Sequence, residues 1–217
     1  MKKLFVAAAA LMLTVGAFAQ SEKYMKAMEP KVMAIDTART VASLTELANA
    51  FERIGDAEKT QWLPYYYASL ASVNSGLMRI TAAGGSADVT DPVADKAEGL
   101  LNKAAALTPD NAELQIVRKM IANLRMMGDP QNRYMTYGPQ GAEALAKAKA
   151  MSPGNPRVSL LEAQDKYFTP EQFGGSKTEA RALFEAAMKG FEAQKPESAI
   201  HPHWGRPVAQ YFLSQMK

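Results

Sequence analysis

Apolar residues recur at three- and four-residue steps along most of the chain, which is the spacing of helices with one buried face. The segment from Thr40 to Ile54 shows this clearly, because Leu44, Ala48 and Phe51 fall on one side, and Gly55 is expected to end the helix. No segment alternates between apolar and polar residues as a half-buried strand does. The pattern predicts an all-α protein, with helices at residues 21–38, 40–54, 62–80, 93–107, 112–127, 140–151, 158–167, 178–194 and 208–216.

Two stretches of the chain resemble each other and indicate a repeated unit. Ala97–Asn111 reads AEGLLNKAAALTPDN and Ala142–Asn155 reads AEALAKAKAMSPGN, so that leucine, alanine and proline recur at the same spacing. Small and large residues recur again at Ala180, Phe184 and Ala187, and in degraded form around Phe51. This small-large-small pattern is typical of the second helix of a tetratricopeptide (TPR) unit. We therefore expect a TPR-like right-handed stack of antiparallel helix pairs, an α-solenoid.

The repeated units are longer than usual. The large residues Phe51, Leu101, Leu145 and Phe184 are separated by 50, 44 and 39 residues, whereas the TPR period is about 34 residues. The extra residues are expected to enlarge three inter-helix turns, at residues 84–92, 128–139 and 169–176. Enlarged turns on one edge of a stack often serve binding.

Several strings of the sequence, taken together, resemble a family of exported TPR-like proteins of Gram-negative bacteria. They are Phe51-Glu52-Arg53-Ile54, Trp62-Leu63-Pro64-Tyr65-Tyr66-Tyr67-Ala68, Asn155-Pro156-Arg157, Thr169-Pro170-Glu171-Gln172-Phe173-Gly174-Gly175 and Pro202-His203-Trp204-Gly205. The resemblance covers nearly all of the chain after the leader. It implies a helical-repeat fold in the periplasm and transfers no catalytic residue.

The first 19 residues have the character of a cleaved secretory signal peptide. Lys2 and Lys3 precede an apolar run, and Ala17-Phe18-Ala19 provides a small-residue cleavage site before Gln20. The run is too short for a permanent membrane span. The sequence therefore predicts one helical-repeat domain over residues 20–217, located in the periplasm, with no transmembrane segment after cleavage. It contains no Cys, which excludes a lipoprotein anchor.

The charge of the chain does not indicate a nucleic-acid partner. The formal net charge is +3, but without Lys2 and Lys3 the chain has 23 basic and 22 acidic side chains. No run or stripe of Lys and Arg is present.

Two motifs with possible chemistry have simpler structural explanations. His201 and His203 could share a metal with Glu197, but a third ligand at a standard spacing is missing, so loop histidines before a packing Trp204 are favoured. Gly174-Gly175-Ser176-Lys177-Thr178 ends like a phosphate-binding loop, yet it lacks the upstream glycine and a preceding strand. We interpret it as a turn before a capped helix.

The aromatic segment at Trp62 motivates a binding hypothesis. Trp62 and one or two of the tyrosines 65–67 are expected in the core, and at least one tyrosine on the concave face. Tyr66, Arg118, Arg157 and Gln164 are the candidate binding residues, lining a groove for an extended peptide or a glycan end.

These observations favour a non-enzymatic periplasmic scaffold that binds an unidentified envelope protein or peptide, with no cofactor. Two alternatives remain open. One is an enzyme or small-ligand-binding protein with a site in the enlarged turns or near residues 201–204. The other is a structural subunit that packs against an outer-membrane complex.

Overall fold

The computed structural model describes residues 22–216, which form nine α-helices, one short 3-10 segment and no strand. The prediction of an all-α protein is confirmed for these residues, and the predicted leader at 1–19 lies outside them. No helix between residues 22 and 216 combines the length and the apolar character that a bilayer span requires. The helices are α1 (22–35), α2 (Val41–Glu58), α3 (Trp62–Ala83), α4 (Ala87–Leu107), α5 (Ala112–Met127), α6 (Pro130–Met151), α7 (Pro156–Phe168), α8 (Lys177–Ala193) and α9 (Arg206–Gln215), with the 3-10 turn at Glu171–Phe173.

Helix α3 lies at the centre of the first half of the molecule. It packs against α2, α4 and α5, so side chains on every side of it are buried. All three tyrosines 65–67 are therefore in the core, and the expectation that one of them faces an open surface is wrong. Successive helical residues do point in different directions, but here each direction leads to another helix.

The residues that define the repeat are core residues. Phe51, Leu101, Leu145 and Phe184 are all buried, as are the alanines that accompany them at 97, 104, 148, 180 and 187. Small residues let neighbouring helices approach closely, and the large residue fills the space between them. The right-handed, TPR-like arrangement of the stack stays a prediction.

The asparagines that end each repeated stretch begin the next helix. Asn111 is the N-cap of α5 and accepts the amide of Glu113, and Asn155 is the N-cap of α7 and accepts the amide of Arg157. An N-cap oxygen satisfies an amide that has no partner within the helix. Ser176 caps α8 in the same way, as the interpretation of the glycine-rich segment predicted.

Two of the three predicted enlarged turns are helical instead. Helix α4 begins at Ala87 and continues through Pro92, and α6 begins at Pro130 and continues through Pro139. Both prolines are exposed, so the carbonyl that loses its amide partner lies toward the solvent side of the helix. The third segment, 169–176, is a turn that contains the 3-10 segment.

Gly55 also differs from its predicted role as the end of a helix. Helix α2 continues past Gly55 to Glu58, because the glycine is a packing site and not a cap. A Cβ at this position would lie 2.7 Å from Cε1 of Tyr65. Helix α1 is continuous through Pro30 and is not split there.

Candidate functional site

A surface groove of about 530 Å³ lies between α2 and α4, with α3 as its floor. Its walls are mostly small or aliphatic. The lining side chains are Val41, Thr45 and Ala48 from α2, Ser72, Ser75, Arg79, Ala82 and Ala83 from α3, and Asp88, Val89, Pro92, Val93 and Lys96 from α4. We call it the α2–α4 groove.

The floor of the α2–α4 groove is less polar than its sequence indicates. The Ser72 hydroxyl donates to the carbonyl of Ala68 at 2.8 Å, and that of Ser75 donates to the carbonyl of Ser72 at 2.8 Å. Each hydroxyl proton is therefore used within α3. The floor presents small side chains with little remaining demand for a polar partner.

Charged side chains close one end of this groove. Lys96 on α4 donates to Asn49 Oδ1 on α2 at 2.8 Å and lies 3.4 Å from Glu52 Oε2. Lys103, which follows Lys96 along α4, lies 3.7 Å from Glu52 Oε1 and 3.3 Å from Asp56 Oδ1. These contacts join α2 to α4 beyond Lys96 and close that end of the groove, whereas Arg79 and Asp88 line its other end.

The open end carries two charges that are available to a ligand. Arg79 and Asp88 are exposed, and neither side chain makes a hydrogen bond or ion pair with any residue between 22 and 216. Ala82 and Ala83 lie beside Arg79 on α3. The arrangement is an apolar slot with an exposed cation and an exposed carboxylate at its mouth.

A second cavity of about 460 Å³ lies where the start of α5 and of α7 meets the end of α8. Trp62, Lys195 and His201 line it together with the capping residues Asn111 and Asn155. It is smaller and more polar than the α2–α4 groove. This cavity lies beside a buried ionic cluster.

The buried cluster centres on the carboxylate of Glu113. Arg157 Nη2 donates to Glu113 Oε1 at 2.7 Å, and Nε donates to Glu113 Oε2 at 3.0 Å. The Tyr66 hydroxyl donates to Glu113 Oε2 at 2.8 Å and accepts the indole N–H of Trp204 at 2.7 Å. Asn155 adds a further donor to the carboxylate, at 2.5 Å. A buried charge requires such partners, and here every member has one.

Burial and neighbouring charges shift the proton equilibria of this cluster. Burial, reinforced by the Glu113 carboxylate, raises the pKa of Tyr66 well above its usual value. Burial alone would lower the pKa of Arg157, but the adjoining carboxylate raises it above normal. Tyr66 therefore stays neutral and Arg157 stays charged near neutral pH.

The four predicted binding residues do not line one groove. Tyr66 and Arg157 come together through Glu113 and are both fully buried, although Arg157, like Glu113, lines the second cavity. Arg118 on α5 and Gln164 on α7 are half-buried, and neither joins this cluster by a hydrogen bond. A binding role for the four residues stays a prediction.

Sequence reasoning missed Glu113, although a signal for it was present, and it predicted Trp204 as a packing residue without its hydrogen bond to Tyr66. Glu113 and Arg157 stand at the same place in two copies of the repeat, two residues after Asn111 and Asn155. Opposite charges at equivalent repeat positions can meet when neighbouring units stack. No local pattern marks Trp204 as their partner.

The histidines lie in the loop between α8 and α9. His201 Nε2 is 3.2 Å from Glu197 Oε2, Nδ1 of the same ring is 2.9 Å from Ser198 Oγ, and His203 Nδ1 is 2.8 Å from the carbonyl of His201. Residues 22–216 contain no group of three or more His, Cys, Asp or Glu that could hold a metal ion. The adjacent Trp204 is buried, as the favoured interpretation of this segment predicted.

Comparison with protein-family models finds no match, and comparison with curated proteins finds none either. Among solved structures, the chain is similar to the HusA haemophore from Porphyromonas gingivalis, with a TM-score of 0.77 and 32% sequence identity. The match covers 89% of this chain and 92% of that chain. Because both the sequence and the fold agree over nearly the full length of the two proteins, the chain belongs to the same family as the HusA haemophore.

Proposed function

We propose that this protein is an exported binding protein whose cargo is haem or a closely related porphyrin, held in the α2–α4 groove. The observation that carries the proposal is the apolar groove on a chain of the haemophore's family. The proposal retains the predicted TPR-like stack as the scaffold, and the predicted leader at 1–19 as the means of export.

The shape and chemistry of the groove suit a porphyrin. Haem is a flat apolar macrocycle with two carboxylates on one edge, so it requires an apolar slot that is open at one side. Pockets for ligands of this class measure about 300–1,000 Å³, and the groove measures about 530 Å³. Its aliphatic and small side chains match the macrocycle, and a cation stands at the open end.

The groove offers no usual protein ligand for iron. The lining residues include no His, Met, Tyr or Cys, which are the side chains that commonly hold haem iron. The side chains that are present can bind only the macrocycle and its carboxylates. We therefore expect metal-free protoporphyrin to bind with an affinity similar to that of haem.

The protein-interaction scaffold is a second candidate function. Phe168, Phe173 and Tyr211 are exposed near the end of the helical stack, and exposed aromatic side chains are common at protein interfaces. A binding protein that delivers cargo could use both surfaces. The absence of enzymatic activity stays a prediction.

The site can be tested by filling the groove. Ala82 is exposed on α3 and lines the groove, so Ala82→Trp should occupy the space of the macrocycle. Because overpacking typically costs about 1–3 kcal/mol, haem affinity should fall by about fivefold or more. The measurement is a titration of the protein with haem, followed by the Soret absorbance.

Two controls locate the site. Ala106→Trp introduces the same side chain at an exposed position of α4 outside the groove, and it should leave affinity unchanged. His201→Ala alters the second cavity and should also bind as the parent protein does. Haem affinity that falls with His201→Ala and not with Ala82→Trp would place the site in the second cavity. An absence of haem and porphyrin binding by the parent protein would contradict the proposed function itself.

A further inference from the structure

We propose that Arg79 determines the specificity of the α2–α4 groove by binding a carboxylate on the edge of the ligand. This inference rests on the proposed function. It adds that the groove selects flat apolar molecules with an anionic edge, and that this edge lies at the open end.

Three charged side chains line the groove: Arg79, Asp88 and Lys96. Lys96 is already engaged, because Asn49 accepts from it at 2.8 Å and the Glu52 carboxylate lies 3.4 Å away. Its positive charge is already balanced by the Glu52 carboxylate, so a ligand carboxylate would compete with Glu52 for the ammonium group. Lys96 therefore closes the inner end and is a poor anion receptor.

Arg79 has the opposite environment. Its guanidinium is exposed and has no hydrogen-bond or ion-pair partner among residues 22–216. The planar guanidinium can donate two parallel hydrogen bonds to one carboxylate. Binding a ligand there breaks no existing contact of the side chain.

Asp88 adds to the selectivity for the position of the ligand carboxylate. It lies across the mouth on the first turn of α4, is also exposed, and has no partner within the described residues. Its negative charge disfavours an anion on the α4 side of the mouth. The ligand carboxylate is thereby directed toward α3 and Arg79.

The test compares two probes that share one macrocycle: protoporphyrin IX, which has two carboxylates, and its dimethyl ester, which has none. Arg79→Gln should weaken binding of the diacid by roughly threefold to fivefold and leave binding of the ester unchanged. Asp88→Asn should strengthen binding of the diacid and have no effect on the ester. The effects on the diacid should shrink as salt concentration rises.

Arg53→Gln is the matched control, since Arg53 is an exposed arginine of α2 outside the groove. It changes the net charge equally and should alter binding of neither probe. The inference is overturned if both probes bind the parent protein and Arg79→Gln changes neither affinity, or changes both equally. Failure of both probes to bind the parent protein would instead contradict the proposed function.

Discussion

Tyr66 and Tyr67 are neighbours in sequence and both are fully buried, yet their hydroxyls have different environments. The Tyr66 hydroxyl bridges Glu113 and Trp204. The Tyr67 hydroxyl has no hydrogen-bond partner among the described residues. A buried polar group contributes to stability only when it is paired, so the two hydroxyls should differ in energetic effect.

Substitution of each tyrosine by phenylalanine measures this difference. Tyr66→Phe leaves the indole N–H of Trp204 without its acceptor and should lower the free energy of unfolding by about 1–3 kcal/mol. Tyr67→Phe should change it by less than about 0.5 kcal/mol or raise it. Urea denaturation followed by circular dichroism gives both values. Equal losses in the two variants would show that the hydroxyl contacts of Tyr66 are not important for stability.

The burial of Tyr66 and Arg157 could not be predicted from their own surroundings in the sequence. An arginine is rarely buried unless it has a partner, and the partner of Arg157 lies 44 residues away at Glu113. The residues around an arginine in the sequence look the same whether its side chain lines a groove or is paired in the core. The two cases differ only in how the helices stack.

Among the helices, α5 was predicted with its observed bounds, Ala112–Met127, because its apolar face is regular and Asn111 and Gly128 flank it. The starts of α4 and α6 were misplaced because Pro92 and Pro139 were interpreted as helix boundaries. Proline usually has that effect. It can remain within a helix when its ring is exposed, which the sequence does not reveal.

An ion pair fixes the part of α4 that the sequence did not predict. Arg133 near the start of α6 donates from Nη1 to Asp91 Oδ1 at 2.6 Å and from Nη2 to Asp91 Oδ2 at 2.8 Å. Hydrogen bonding from this guanidinium lowers the pKa of Asp91 below its usual value. The contact joins α4 to α6 near the starts of both helices, in the part of each that the sequence did not predict to be helical.

Asp91→Asn should therefore destabilise the protein in a pH-dependent manner. A carboxylate whose pKa is lower in the folded state contributes stability above its unfolded pKa, and that contribution disappears as pH falls through the folded pKa. The variant should melt at a lower temperature than the parent protein at pH 7, and the difference should shrink below about pH 4. Thermal unfolding at both pH values is the measurement. A difference that is constant with pH would exclude the ion pair as its cause.

At the scale of the whole molecule, the segment before α9 connects parts of the chain that are far apart in sequence. Trp204 donates to Tyr66 on α3, and its backbone carbonyl lies 3.5 Å from Arg157 Nη1 on α7. The amide of Gly205 donates to Asp36 Oδ1, just after α1, at 3.2 Å. An open solenoid has contacts only between adjacent units, so these contacts should make unfolding more cooperative than in such a stack.

Trp204→Leu tests this coupling. The substitution keeps an apolar side chain and removes the indole donor, and it should lower the free energy of unfolding by about 2–4 kcal/mol. Native-state hydrogen exchange should show the same loss of protection in α3 as in α8. Loss confined to α8 and α9 would instead indicate that the end of the stack unfolds independently.

The α2–α4 groove could not be predicted from the sequence, because it depends on how three helices pack together. Its walls come from three helices, and the start of α4 supplies Asp88 and Val89, although the sequence predicts a turn at these positions. The repeat predicted that the helices stack. It did not predict where two of them separate enough to leave a slot.

The hydrogen bond between Gly205 and Asp36 also has a consequence for the order of folding. Asp36, Tyr66 and Arg157 precede by 47 or more residues the segment that supplies their last partners. A chain in which this segment has not yet docked contains polar groups that it cannot bury without loss. The amino-terminal helices are therefore expected to reach their final packing only together with residues 204 and 205.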